Sequence, residues 1–176
     1  MKVISTNFSG LKVFQSKSFK DSRGLLKESF KKKFLKDQNF IFSLVSKSKK
    51  NVIRGLHLQV KFSQAKYVTV IKGAVMDIVV DLRKNSKTFG KHFKIILSEQ
   101  NNKSLFVPAG FAHGFLSLKK ENIVYYMCTN YRSPDHEVAL LWNDKDLKIQ
   151  WPVKNPIISK KDKNSLKFKE FKKLHI

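Results

Sequence analysis

Only one cysteine, Cys128, occurs in the chain. That excludes an intramolecular disulfide and any paired-cysteine metal site, and it points to a reducing cytoplasm. No apolar run approaches the roughly 20 residues that span a bilayer, so no membrane segment is expected. The N-terminal stretch from Met1 to Asn7 lacks the apolar core and small-residue cleavage site of a signal peptide. Acidic residues are few, 13 against 36 basic ones, which leaves a formal net charge of +23. Arginine is scarce as well: it stands only at 23, 54, 83 and 132, against 32 lysines. Proteins that read phosphates or bases employ arginine for its planar, bidentate fork. A lysine surplus spread along the whole chain therefore reads as solvated faces rather than a dedicated nucleic-acid surface. Its field still draws anionic substrates inward.

What is present is apolar and strand-like. Hydrophobic residues make up 41% of the 176, with fifteen phenylalanines, enough for one packed domain covering 1–176. Short segments rich in Val, Ile, Phe and Tyr recur between turn residues, at 11–14, 40–45, 66–71, 74–82, 92–97, 104–107, 112–118, 122–128 and 137–141. This spacing predicts an all-β sandwich or barrel. Lys72-Gly73 reads as a hairpin turn and 84–87 as a longer loop. Helix is confined to 30–37 and to the tail after Asp162. In that tail Leu166, Phe168, Phe171 and Leu174 can pack one side on the body or on a second subunit.

Two of the five histidines sit in short apolar stretches beside glycines, in Arg54-Gly55-Leu56-His57-Leu58-Gln59 and in Pro108-Ala109-Gly110-Phe111-Ala112-His113-Gly114-Phe115. Histidine titrates near neutrality, so two on neighbouring strands can take and orient protons. Each, alone, also fits a partly buried histidine bonded to backbone carbonyls. The Pro-x-Gly-x-x-His element resembles the second motif of the cupin superfamily, a double-stranded β-helix or jelly roll. The first cupin motif carries His-x-His, where this chain has His57-Leu58-Gln59, so a transition-metal site lacks ligands and none is expected.

The wider pattern resembles the dTDP-4-dehydrorhamnose 3,5-epimerase family. It is carried by Phe19-x-Asp21-x-Arg23-Gly24 with Glu28 and Phe30, by Arg54 to Gln59, and by Gln64-x-Lys66. It continues through Gly73-x-Val75-x-Asp77, Val80 to Arg83, Ser86-x-Thr88-Phe89-Gly90 and Pro108 to Phe115. It closes with Tyr126-x-x-Thr129-Asn130-Tyr131, Trp142-Asn143-Asp144, Ile149-x-Trp151-Pro152 and Ser159-x-Lys161-Asp162. The fold implied is an all-β cupin-type jelly roll with short helical ends. The reaction implied is proton exchange beside the ketone of a nucleotide-linked 4-keto-6-deoxy sugar, at C3, C5 or both. The ketone is its own electron sink, so no cofactor is required.

By the same resemblance His57 is the base, Asp162 its hydrogen-bond partner, Tyr126 the acid on the opposite face, and Lys66 the cation beside the enolate. His113 contacts the sugar or orients the other groups, and Tyr131 stacks on the nucleobase. Arg23 and Arg54 contact the diphosphate, and Glu28, Glu137 and Lys161 match substrate-contacting positions. Arg23 and Glu28 are expected from the partner of a homodimer, because the strand from Arg23 to Phe30 is otherwise an exposed edge. Arg83 reads instead as a structural partner of Asp81. Alternation along the strand sends Tyr125 to the face opposite Tyr126. The chain departs from the family pattern at Phe42-Ser43-Leu44, where Gln-Asp-Asn is usual, at Met127 in place of lysine, and at Ala109 in place of glutamate. The readings that compete are a non-catalytic sugar-binding jelly roll and a metal-dependent cupin.

Overall fold

A computed structural model describes residues 1–174. The chain folds into two antiparallel sheets laid face to face. The first holds six strands in the spatial order β1 (Lys2–Ser5), β2 (Lys12–Gln15), β10 (Lys103–Val107), β7 (Lys66–Lys72), β12 (Glu121–Cys128) and β5 (Phe42–Lys49). The second holds five: β13 (Glu137–Ala139), β6 (Ile53–Gln59), β11 (Phe111–Ser117), β8 (Ala74–Asp81) and β9 (His92–Ser98). Apart from β1–β2 and β8–β9, spatial neighbours are not consecutive in sequence, as in a jelly roll. A separate hairpin, β3 (Ser18–Asp21) with β4 (Gly24–Lys27), stands apart from both sheets.

Alternation places the core. On β12, Asn122, Val124, Tyr126 and Cys128 are buried while the residues between them are only partly so, which puts Tyr125 on the face away from Tyr126, as expected. Between the sheets, Val68, Val70, Val75, Val79, Leu105, Phe115 and Val124 form the central core. The second sheet is covered on its outer face as well, by Leu147, Ile149, Phe168 and Phe171 from the C-terminal segment. For that reason every residue of β8 is buried, and its sequence is continuously apolar apart from two aspartates. The tail packs on the body of its own chain, through the single turns α1 (Lys160–Lys163) and α2 (Phe168–Phe171).

Several local expectations are corrected. Gly73 closes no hairpin: β7 and β8 belong to different sheets, so Lys72-Gly73 is the corner at which the chain crosses between them. The helix expected over 30–37 is one 3₁₀ turn, Lys32–Phe34, because Phe30, Phe34 and Phe40 are drawn onto the outer face of the first sheet around Tyr67. The strand expected from Arg23 runs only over Gly24–Lys27; it pairs with β3 on one side, and among the described residues its other edge has no strand partner. Arg83 does clamp Asp81, through Nε at 2.9 Å and Nη2 at 2.7 Å, and Ser86 and Thr88 donate to the same carboxylate. These bonds outweigh the effect of burial and hold Asp81 down at about 2.

Candidate active site

The second sheet carries the two histidines, and its glycines explain how they face one another. His57 on β6 and His113 on β11 are cross-strand partners, with a bulge in the register just beyond them. At that point the backbones nearly touch. A Cβ on Gly55 would lie 2.6 Å from Gly114 Cα and from the His113 carbonyl oxygen, and Gly55 has φ +106°. A Cβ on Gly114 would lie 2.5 Å from the Arg54 carbonyl oxygen. Only glycines fit this crossing. It sets the two imidazoles side by side on one wall of a cavity of about 580 Å³, lined also by Arg54, Lys66, Tyr126, Arg132, Glu137, Lys161 and Asp162.

Each histidine holds an aspartate. His57 Nε2 lies 2.8 Å from Asp162 Oδ1, bridging 105 positions of sequence. Ser159 caps α1 by accepting from the Asp162 amide at 3.0 Å, and the Gly55 N–H donates to the other Asp162 oxygen at 3.4 Å. Burial pushes this carboxyl up, but the bonds from His57 and from the Gly55 amide outweigh it and hold it below the usual carboxylate range. With Nε2–H donated to a carboxylate, Nδ1 of His57 carries the free lone pair. His113 Nε2 donates to both oxygens of Asp77, at 3.0 and 2.9 Å, inside the sheet.

Tyr126 faces this wall from β12 of the first sheet, its ring 6.0 Å from that of His113. Burial raises its pKa above the normal phenol value, the Asp77 charge adds to this, and Ser46 Oγ at 3.3 Å pulls the other way. The phenol is therefore protonated at neutral pH. Lys66, at the start of β7, points into the same cavity. Burial lowers its pKa, against the stabilising carboxylate charges of Glu137 and Asp77.

At the rim, Arg54 is bonded through Nε to Ser48 at 3.0 Å and through Nη2 to the Lys47 carbonyl at 3.2 Å. Lys161 donates to Glu137 at 2.6 Å, and Arg132 lies near the same carboxylate at 3.4 Å. Burial raises Glu137, but these two cations bring it down to about 2. Tyr131 is 66% exposed, its ring 5.9 Å from Phe42. Leu44, on the same strand as Phe42, lines the cavity, so the Phe42-Ser43-Leu44 replacement gives this end an apolar wall.

Arg23 and Glu28 are not brought to the cavity by this chain. The Arg23 side chain is 88% exposed at the tip of the β3–β4 hairpin and bonded to Asp21, and Glu28 pairs with Lys31. Three cavity features escaped the sequence reading: Asp77 as the partner of His113, Ser46 against Tyr126, and Arg132. For Arg132 the signal was available, since it is one of only four arginines in a lysine-rich chain. Among the described residues no cluster of three or more His, Cys, Asp or Glu is placed to hold a metal ion.

The fold and the cavity define a cupin-type jelly-roll isomerase, with a histidine–aspartate pair on one wall and a protonated tyrosine on the other. The chain belongs to the dTDP-4-dehydrorhamnose 3,5-epimerase family, whose model matches residues 5–170. It is 42% identical over 174 residues to dTDP-4-dehydrorhamnose 3,5-epimerase of Shigella flexneri, covering 96% of each chain. Among solved structures it resembles the Bacillus anthracis enzyme with TDP and PPi bound, at 44% identity and TM-score 0.90, over 94% of this chain and 98% of that one. It also resembles the Legionella pneumophila enzyme in complex with dTDP-4-keto-L-rhamnose, at 36% identity and TM-score 0.89, over 93% and 90%. No helix among the described residues is long and apolar enough to cross a membrane.

Proposed function

We propose that this chain epimerises a dTDP-linked 4-keto-6-deoxy sugar at C3 and C5. The observation that carries the reading is the placement of the His57–Asp162 pair, at 2.8 Å, and of Tyr126 on facing sheets of one cavity. His57 takes the proton from the carbon beside the ketone, and the electron pair moves onto the C4 oxygen as an enolate. Asp162 fixes the tautomer and stabilises the imidazolium. Lys66 sets a positive charge against the enolate in a site where burial strengthens the attraction. Tyr126, kept protonated by burial, returns a proton from the opposite face and inverts the centre. Tyrosinate is then reprotonated from solvent and the His57 imidazolium gives its proton up to solvent, which resets both groups for the second carbon.

Arg54, Lys161 and Glu137 contact the substrate at the rim, His113 orients the sugar, and Tyr131 stacks on the base in this reading. Residues 1–176 act as one domain in a reducing cytoplasm, where Cys128 stays a buried thiol. The functional unit is a homodimer. Phe19, Leu25 and Leu26 are exposed on the β3–β4 hairpin and want cover, and the hairpin then offers Arg23 and Glu28 to the partner's cavity. Light scattering at micromolar concentration tests this: a dimer is expected, and a monomer contradicts it.

The test of the reaction is proton NMR of dTDP-4-keto-6-deoxyglucose with the protein in deuterated water. Loss of the C3 and C5 proton signals together with a new product is expected. Washout at one carbon alone makes this a single-site epimerase, and no exchange at either overturns the reading.

A further inference from the structure

Gln59 follows His57 by two residues on β6, is buried, and has no part in the chemistry above. Its side-chain amide makes an arrangement usually made by backbone. Nε2 donates to the Tyr131 carbonyl at 3.1 Å and to the Phe62 carbonyl at 2.6 Å, while Oε1 accepts from the Ser133 amide at 2.8 Å. A neighbouring parallel strand engages a residue in the same way, through the carbonyl before it and the N–H after it. The residue so held is Arg132. Its neighbours toward the N-terminus are anchored independently, through Gln64 to the Asn130 carbonyl at 2.8 Å and Asn130 to the Ser63 carbonyl at 2.8 Å. Among the described residues, the other bonds from 131–133 run forward to His136 and Glu137. Gln59 is thus the side chain that ties the Arg132 segment back to the sheet.

The Arg132 side chain lines the cavity, is 54% exposed, and is only loosely engaged. Glu137 already has Lys161 at 2.6 Å, whereas Arg132 lies at 3.4 and 3.5 Å, at the outer limit of hydrogen bonding. A guanidinium has five N–H donors in a fixed fork. Here most of them are unspent and stand at the mouth of a cavity that also presents Arg54 and Lys161. We infer that Arg132 is an anion-binding residue at the cavity mouth, taking a phosphate of the nucleotide-linked substrate, and that Gln59 is its positioning residue. The ligand's identity rests on the function proposed above; the coupling between Gln59 and Arg132 does not.

The experiment is a double-mutant cycle with Arg132→Ala, Gln59→Leu and the combined variant, read by KM, kcat and calorimetric binding of dTDP. Arg132→Ala is expected to weaken dTDP binding and raise KM by about tenfold, the scale of one charged hydrogen bond, with kcat nearly unchanged. Gln59→Leu is expected to produce a smaller rise in KM, again sparing kcat, because β6 is laddered on both sides by β11 and β13 and keeps His57 in place. In the Arg132→Ala background Gln59→Leu is expected to lose most of its effect, keeping only the part that passes through Tyr131, whose carbonyl Gln59 also holds. If the two effects multiply, Gln59 does not act through Arg132. If Arg132→Ala lowers kcat and shifts its pH profile while dTDP affinity stays, Arg132 serves Glu137 instead, and the inference is wrong. Wild-type protein that binds dTDP without turnover removes the epimerase reading and leaves the cycle measurable by binding. Wild-type protein that does not bind dTDP contradicts the inference as well.

Discussion

The two histidine–aspartate pairs share a sheet, a cross-strand register and nearly the same bond length, 2.8 Å for His57–Asp162 and 2.9 Å for His113–Asp77. They differ in what surrounds them. The His57 side chain is 28% exposed to the cavity, and its aspartate comes from a turn on the covering tail, held by a backbone N–H. The His113 side chain is 4% exposed, and its aspartate belongs to the wholly buried β8. A base must reach the proton it removes and release it again, so on the proposed chemistry access separates the working pair from the fixed one. Pairing alone makes neither a base. The buried pair anchors the wall on which the open pair sits, and it stands ring to ring with Tyr126.

The contrast breaks most visibly at His57. On the proposed chemistry His57→Ala lowers turnover by roughly 10³-fold or more while the folded state persists, because general-base loss costs on the order of 10²–10⁴. Near-wild-type turnover would assign the base elsewhere. Asp162→Asn is expected to cost about 10²-fold in kcat by removing the charge that stabilises the imidazolium, with little change in urea midpoint. A large loss of stability with normal kcat would reverse the roles of the two pairs. Asp77→Ala is the mirror experiment. It leaves a buried histidine unpaired, at about 3 kcal/mol of stability, measured by urea unfolding, and turnover is expected to fall less than for Asp162→Asn.

The smallest expected effect lies outside both pairs. Asp81 is depressed to about 2 from an unfolded value near 3.8. Its contribution is therefore present in full above the unfolded pKa and is lost as pH falls toward 2, about 2 kcal/mol in all. Arg83→Ala removes one of its three side-chain donors and is expected to cost about 1 kcal/mol at pH 7, with the gap to wild type closing below pH 4. A gap that holds constant down to pH 3 would mean that Arg83 stabilises by packing on Phe111, whose ring centre lies 4.5 Å from its guanidinium carbon.

How much of this was legible in the chain follows from the range of each interaction. Strand alternation is local, so most strands, the outward turn of Tyr125 and the Asp81–Arg83 clamp, two residues apart, were readable. The glycines beside both histidines were visible in the sequence, and Gly55 and Gly114 prove to be where the two backbones meet. Gly73 was misread because a turn residue marks a reversal without saying whether the next strand rejoins the same sheet. Phe30 and Phe34 carry helical spacing, but the uncovered face around Tyr67 decided their conformation. The tie from Gln59 to Tyr131 spans 72 positions and ends on a backbone carbonyl, which leaves no trace in residue type. His57–Asp162 spans more, and only resemblance to a family revealed it.

The division of labour between the two walls is the central claim, and solvent-deuterium exchange by Tyr126→Phe tests it most directly. Removing the phenol takes away the proposed proton donor on the first sheet and leaves the His57–Asp162 pair intact. The substrate's C3 and C5 protons are then expected to keep washing out, while formation of the epimerised product falls by about 10²-fold. Loss of washout and of epimerisation to the same degree would contradict the account, since one wall would then be carrying both steps.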